Sequence, residues 1–296
     1  MKVLKFGGTS VGSPEAIRTL VRIVQESGEH IVVVSAFSGV TDMLLRAARV
    51  ASRGEDWRAV YTALRERHVS MMDAVLGEGR FRDEAGQTVL ELLAELESLL
   101  YGISLVRDLS ARTQDLVASF GERMSAMVVA KAMEQAGMPA EWVDARDIIK
   151  TDGHYGAARW LEADTVPLVR SRLGALDHRA VVTGFIGSTA DGSTTTLGRG
   201  GSDLTAGILG ACLDAEEIEI WTDVDGIMTA DPRMVPDAFV IPEISYLEAM
   251  EMSHFGAKVL HPPTVLPAMA KGIPLRIQNT FNPTAPGTLI VRQAQP

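Results

Sequence analysis

Only one cysteine, Cys212, occurs in the 296 residues, which excludes an internal disulfide and fits a reducing compartment such as the cytoplasm. Aromatic residues are scarce at 5%, although 46% of the chain is apolar, a balance that suits an α/β protein with a sizeable core. No run approaches the ~20 consecutive apolar residues of a membrane span. The N-terminus lacks a long apolar stretch followed by a small-residue cleavage site, so neither membrane association nor secretion is expected. Several chemical signatures are missing as well. There is no GxxxxGK[ST] phosphate loop and no DFG or HRD of the protein kinases. The six histidines are scattered without HExxH, and a lone cysteine cannot build a structural zinc site, so no metal held by protein side chains is expected. Positive charge is also in deficit: the net charge of −10 argues against a nucleic-acid partner. No tandem repeat or low-complexity segment is present.

What the chain does have is glycine in informative places. Thr194 to Asp203 reads TTTLGRGGSD: small hydroxylated residues, then Gly198, Gly200 and Gly201 around Arg199, then Ser202-Asp203 opening the apolar run LTAGILGACL. Glycines allow close approach and positive φ, and a helix N-terminus offers free N–H groups and a positive dipole end. Arg199 adds a planar, bidentate grip for a carboxylate or phosphate. A Gly-rich surface turn is the alternative reading of the same residues. A second pair, Gly7-Gly8, follows the short strand VLKF. It places Lys5 at a strand's carboxyl end, where ligands of α/β sheets collect. Ser13 and Pro14 then start a helix that Gly28 closes.

Strand-like runs are Val3–Phe6, His30–Ala36, Ala180–Ile186, Glu217–Thr222, Leu275–Asn279 and Thr288–Val291. Several are β-branched without alternation, as expected of strands covered on both faces, and helical patterns intervene: a doubly wound α/β sheet. Between about Asp42 and Gly137 the pattern is almost purely helical, with one loop near Gly77–Gly86. LRERHVSMMDAVL and QTVLELLAELESLL predict an antiparallel helical hairpin packed on the sheet, with Met71-Met72 as core filler. Cys212 is expected to be buried, and His261, before Pro262-Pro263, to be a turn residue.

In order along the chain stand KFGGTS (Lys5 to Ser10), VVSAFSGVTD (Val33 to Asp42), SFGERMSA (Ser119 to Ala126), TTTLGRGGSD, WTDVDGIMTADPR (Trp221 to Arg233) and FGAKVLHP (Phe255 to Pro262). Their order and spacing resemble the motif series of aspartate kinases within the amino acid kinase family, over nearly the whole chain. The resemblance implies a three-layer α/β/α sandwich with a mainly parallel sheet and a helical insertion. It also implies one catalytic domain over residues 1–296, with an amino-acid-binding lobe at 1–203 and a nucleotide-binding lobe at 204–296. ATP with Mg2+ would phosphorylate the side chain of L-aspartate to 4-phospho-L-aspartate, the first step towards lysine, threonine and methionine.

Residue by residue, the resemblance gives Lys5, Gly7 and Gly8 to the phosphates and Asp203 an organising role toward the lysine. It gives Arg199 to the α-carboxylate of aspartate, Glu122 to its ammonium, Ser202 a donor role near the aspartate through its amide or hydroxyl, and Ser35 and Thr41 to the substrate lining. Thr222, Asp223, Arg233 and Lys258 fall to ATP, with Met228 standing where the family commonly has a tyrosine. Asp203 as a plain helix-start residue, Glu122 as a solvated charge and Asp225-Gly226 as a tight turn remain open alternatives. Since the net charge opposes anionic substrates, Lys5, Arg199, Arg233 and Lys258 should converge in one cleft. Aspartate kinases typically continue into ACT regulatory domains; a chain ending at Pro296 predicts a catalytic unit without its own feedback site, controlled by a separate partner if at all. The helices beyond the sheet are expected to supply a dimer face. Two other readings stay open: an enzyme of this fold acting on another small acid or a hydroxyl, and a non-catalytic regulatory subunit.

Overall fold

A computed structural model describes residues 1–28, 31–230, 234–235, 237–255 and 260–294. In chain order the first elements are β1 (Lys2–Phe6), α1 (Pro14–Ser27), β2 (Ile31–Val34), α2 (Val40–Ser52), α3 (Arg58–Leu76), α4 (Arg80–Val106) and α5 (Ala111–Gln135). Then come β3 (Ala140–Val143), α6 (Ala145–Ile148), α7 (Glu162–Leu173), β4 (Arg179–Thr183), β5 (Ile186–Ser188), β6 (Thr194–Thr196), α8 (Gly201–Leu213) and β7 (Glu217–Thr222). The last are β8 (Glu243–Ser245), α9 (Tyr246–Phe255), a 3-10 turn Pro262–Val265, α10 (Leu266–Lys271), β9 (Leu275–Asn279) and β10 (Thr288–Val291).

Eight strands form one sheet in the order β3-β4-β2-β1-β7-β9-β10-β8, parallel except where β10 runs against β9. Alternation along the central strands sends Leu4, Phe6, Val32 and Val34 to a core shared with α1 and α5. It sends Val3, Ile31, Val33, Ile218 and Ile220 to a core shared with α7 and α8. Both faces are therefore covered, which explains the apolar, β-branched runs, and the fold is the expected three-layer α/β/α sandwich. Met71, Met72 and Cys212 are buried, and burial pushes the Cys212 thiol up to about 12.

Local expectations held at the first helix. The Ser13 side chain accepts from the Ala16 N–H, and Gly28 takes the left-handed conformation that ends α1. The helical insertion differs from a simple hairpin. α3 and α4 pack together as expected, but the turn between them is only Gly77–Gly79, and Gly86 lies inside α4. Two further helices, α2 and α5, complete the insertion, and it is α5 that packs against β2, β3 and β4. α5 is buried almost all round from Val117 to Ala130, so its sequence has no polar face to betray it. The strand expected over Ala180–Ile186 also breaks: β4 stops at Thr183, and a separate antiparallel hairpin, β5 with β6, begins at Ile186. Three short strands, β3, β6 and β8, had no signal long enough to read.

β1 is the topological switch point. Its neighbours β2 and β7 lie on opposite sides of it, and the chain leaves β1 first towards one side and returns on the other. In an open α/β sheet the crevice outside the carboxyl ends at such a point is where a ligand fits.

Candidate active site

A cleft of about 580 Å³ opens at that place. Its floor is built from strand exits: Gly7 and Gly8 after β1, Ser35 after β2, Phe185 after β4, and Thr222 and Asp223 at the end of β7. Thr41 reaches it from the start of α2, Glu122 from α5, and Arg199, Ser202 and Asp203 from the glycine loop and the first turn of α8.

Lys5 is 8% exposed, and its Nζ lies 2.5 Å from Asp203 Oδ1. Asp203 is thus an ion-pair partner of the β1 lysine; the N-cap position of α8 belongs to Gly200, in the left-handed region at φ 71°. That conformation, and the pressure of His261 and Thr264 against the place a Cβ would occupy, require glycine there. Gly198 is left-handed as well, so the backbone carries Arg199 out on a tight loop. Arg199 is exposed at the cleft and has no ion pair with a described residue. The N–H groups of Ser202 and Asp203, in the first helical turn, have no intrahelical acceptor and are available to an anion.

Glu122 is the most perturbed group in the cleft. It is 3% exposed; its Oε1 accepts the Ala36 N–H at 3.1 Å, while Oε2 is buried with no partner. Burial pushes its carboxyl up to about 8, against the pull of the Ala36 amide. The contact depends on Gly121, where a Cβ would come within 2.7 Å of the Ala36 Cβ, so only glycine lets α5 approach this closely. Ser125, one turn on, donates to the Ser35 carbonyl at 2.7 Å and fixes the same junction. A buried carboxyl with one free oxygen and an exposed guanidinium on one cleft can hold the ammonium and the carboxylate of an amino acid.

Asp223 accepts from the Thr222 hydroxyl at 3.2 Å. Met228 does not line the cleft; it is half-buried and forms an isolated bridge with Val240. Arg233 and Lys258 lie outside the described residues, so the expected convergence concerns Lys5 and Arg199, which do share the cleft. His261 sits at the turn before Pro262, its carbonyl accepting from the Thr264 N–H and hydroxyl.

Sequence reasoning passed over Thr9, Ser38, Asp42 and Phe185, all on the cleft wall. Phe185 has φ 71°, a conformation costing about 1–2 kcal/mol for an L residue. Its N–H donates to the Thr205 hydroxyl at 3.0 Å and its carbonyl accepts from the Leu197 N–H at 2.8 Å, which hold it there. Its place in Thr-Gly-Phe, just after a buried strand, was the available signal. Asp115 was also unmarked. Buried on α5, it accepts from the Gly156 amide and from the amide and hydroxyl of Thr196, fastening β6 just ahead of the arginine loop.

Among the described residues, no group of three or more His, Cys, Asp and Glu is placed to hold a metal, and no helix is long and apolar enough to cross a membrane.

The family model described as "Amino acid kinase family" matches residues 1–279. The lysine-sensitive aspartokinase 3 of Escherichia coli (strain K12) is 38% identical over 299 residues, covering 99% of this chain and 64% of that protein. The chloroplastic bifunctional aspartokinase/homoserine dehydrogenase 1 of Zea mays is 37% identical over 303 residues, covering 98% of this chain and 32% of that protein. A crystal structure of E. coli aspartokinase III in complex with aspartate and ADP superimposes with a TM-score of 0.91 at 35% identity, over 100% of this chain and 65% of that one. The chain thus spans about a third to two thirds of the length of these relatives. With the three-layer fold, the switch-point cleft and a family model matching all but the last strand, the chain belongs to the amino acid kinase family.

Proposed function

We propose that this chain is an aspartate kinase that transfers the γ-phosphoryl group of Mg-ATP to the side-chain carboxylate of L-aspartate, giving 4-phospho-L-aspartate and ADP. The observation that carries this reading is the unpartnered Oε2 of buried Glu122 on the same cleft as Arg199. An α-amino acid brings the two complementary charges. Arg199 and the Ser202 amide take the α-carboxylate, Glu122 takes the ammonium, and Ser35 and Thr41 line the side chain. The similar E. coli enzyme was crystallised with aspartate and ADP, which supports the same pair of ligands here.

The acceptor carboxylate has an ordinary pKa near ~3.9 and is ionised at neutral pH, so no base has to remove a proton. One carboxylate oxygen bonds to the γ-phosphorus as the bond to the β,γ-bridging oxygen breaks, and ADP leaves. The chemical difficulty is bringing two anions together in line. Positioning and charge neutralisation are therefore the protein's task. Lys5 meets the transferring group, Asp203 holds Lys5 in place, and the Gly7 and Gly8 backbone lets the phosphates come close. Thr222 and Asp223 take the nucleoside, with Met228, Arg233 and Lys258 assigned to the ATP half by resemblance. A magnesium ion would ride mainly on β- and γ-phosphate oxygens and supply further charge neutralisation there.

We assign residues 1–203 to the amino-acid-binding lobe and 204–296 to the nucleotide-binding lobe, place the protein in the cytoplasm as a homodimer, and propose that these residues carry no feedback site for lysine or threonine. The product would feed lysine, threonine and methionine synthesis. The test is purified protein with Mg-ATP and a panel of amino and hydroxy acids, with the acyl phosphate trapped by hydroxylamine. Aspartate-dependent hydroxamate and ADP are expected; a different acceptor, or none, would refute the assignment.

A further inference from the structure

Behind the cleft, the carboxyl end of β9 ties together two turns that otherwise belong to different parts of the chain. The Gly7 N–H donates to the Trp221 carbonyl at 3.0 Å, and the Ser10 hydroxyl donates to the same oxygen at 3.2 Å. Both ends of the Gly-Gly-Thr-Ser turn are therefore pinned to one carbonyl at the end of β7. The Thr280 hydroxyl donates in turn to Ser10 Oγ at 2.7 Å, and the Thr280 amide donates to the Thr222 carbonyl at 2.8 Å. Ser10 and Thr280 are both fully buried, so these hydroxyls have no water to fall back on.

One residue earlier, Asn279 Nδ2 donates to Asp225 Oδ1 at 2.8 Å, and Asn282 Nδ2 adds a second donor to that oxygen at 3.1 Å. The Asn279 side-chain oxygen accepts the Phe281 N–H at 2.9 Å, which settles which way its amide points. Asn279 and Thr280 thus grip the Thr222–Gly226 turn and the Gly7–Ser10 turn at once. Neither side chain lines the cleft, and Thr280 lies one residue past the reach of the family model.

We propose that Thr280 and Asn279 are positioning residues that set the phosphate turn after β1 against the nucleoside turn after β7. They govern nucleotide use and leave the amino-acid half of the cleft, built on Ser35, Glu122 and Arg199, unaltered. The inference rests on the kinase reading for its turnover assay, but its binding assay needs only a nucleotide.

The experiment compares wild type with Thr280→Val, Thr280→Ser and Ser10→Ala. It measures Mg-ADP affinity by calorimetry, the separate KM values for ATP and aspartate, and the thermal midpoint. Loss of one buried hydrogen bond should weaken Mg-ADP and raise KM for ATP by about tenfold in Thr280→Val, with KM for aspartate within about twofold. Thr280→Ser, which keeps the hydroxyl, should restore both. Ser10→Ala removes that bond together with the Ser10 bond to the Trp221 carbonyl, so it should weaken Mg-ADP at least as much as Thr280→Val, and the double variant should be no worse than Ser10→Ala alone. If Thr280→Val does not fold, Ser10→Ala decides alone. Unchanged nucleotide affinity in the folded variants overturns the inference, as does a parallel rise of both KM values with a lowered midpoint. If wild type fails to phosphorylate aspartate while the valine variant alone loses Mg-ADP affinity, the kinase reading falls and this inference stands. A wild type that binds no nucleotide sinks both.

Discussion

Replacing Glu122 by glutamine keeps the shape of the side chain and its acceptor for the Ala36 amide, but removes the titration. In the wild-type protein without ligand, the carboxyl is raised from 4.5 to about 8 because it is buried and half unpartnered. Between those two values the native state holds a proton that the unfolded chain has released. The group's favourable contribution is therefore complete below pH 4.5 and is lost as pH rises towards 8. At 1.36 kcal/mol per pH unit, Glu122 alone should lower the stability of the ligand-free protein by about 3 kcal/mol between pH 4.5 and 7. The Gln variant should lack that slope. On the proposed reading aspartate would reverse the situation, since its ammonium would pair only with the ionised carboxylate. That form is about one part in a hundred at pH 6, one in ten at pH 7 and half at pH 8. KM for aspartate should consequently fall about tenfold from pH 6 to 7 and about fivefold from 7 to 8. Close to one proton should leave on binding at pH 7, read by calorimetry in buffers of different ionisation enthalpy. Glu122→Gln should bind aspartate at least about thirtyfold more weakly at pH 8, with a flat pH profile, because one partner of a buried charge pair costs about 2–5 kcal/mol. A wild-type KM that stays level from pH 6 to 8, with heats independent of buffer, would refute the reasoning.

Lys5→Met removes the ammonium 2.5 Å from Asp203; kcat should fall by about a hundred- to a thousandfold, and a variant keeping a tenth of the wild-type rate would contradict its role. Arg199→Lys keeps the charge and loses the planar fork, so steady-state kinetics should show KM for aspartate raised about tenfold with kcat changed far less. Gly121→Ala puts a Cβ 2.7 Å from that of Ala36 and should destabilise by about 1–3 kcal/mol in denaturant titration. Undiminished stability would mean that α5 can retreat without loss. Lysine or threonine titrated into the kinase assay of residues 1–296 should leave the rate unchanged, and strong inhibition at low concentration by either would expose a feedback site within them.

The parts of the site that could be read beforehand are those whose chemistry is local. Gly-Gly after a short strand, glycines around an arginine, and Ser-Asp opening an apolar run each encode a backbone geometry within a few residues, and the structure puts them where strand ends meet. What could not be read depends on burial. α5 lies within the stretch read as helical and Glu122 within a motif already singled out, but a pattern without a polar face does not reveal that this helix is enclosed by the sheet and by α1 to α4, with Glu122 and Arg123 buried in it. Thr280 and Ser10 are ordinary turn-like hydroxyls until their separation in space is known to be 2.7 Å. Phe185 interrupts what looks like one continuous strand by its own left-handed conformation at φ 71°, next to Gly184, where Ser202 lies 2.7 Å from the place a Cβ would occupy.

The proposed substrates are anions and the protein is acidic, which sets an electrostatic demand on the cleft. Lys5 and Arg199 face Asp42, Asp203 and Asp223 around it, so the described side chains sum to −1 even with Glu122 protonated. The described side chains of the cleft alone therefore do not draw in a triphosphate. Dipoles that carry no formal charge, the Gly8 amide and those of the first turn of α8, add attraction there, together with the Arg233 and Lys258 assigned to ATP by resemblance and the magnesium proposed to travel with it. Protonation of Glu122 fits the same logic. An empty site holding a fourth ionised carboxylate would repel the phosphates further, whereas one that ionises only against an incoming ammonium adds its charge when that charge is already matched.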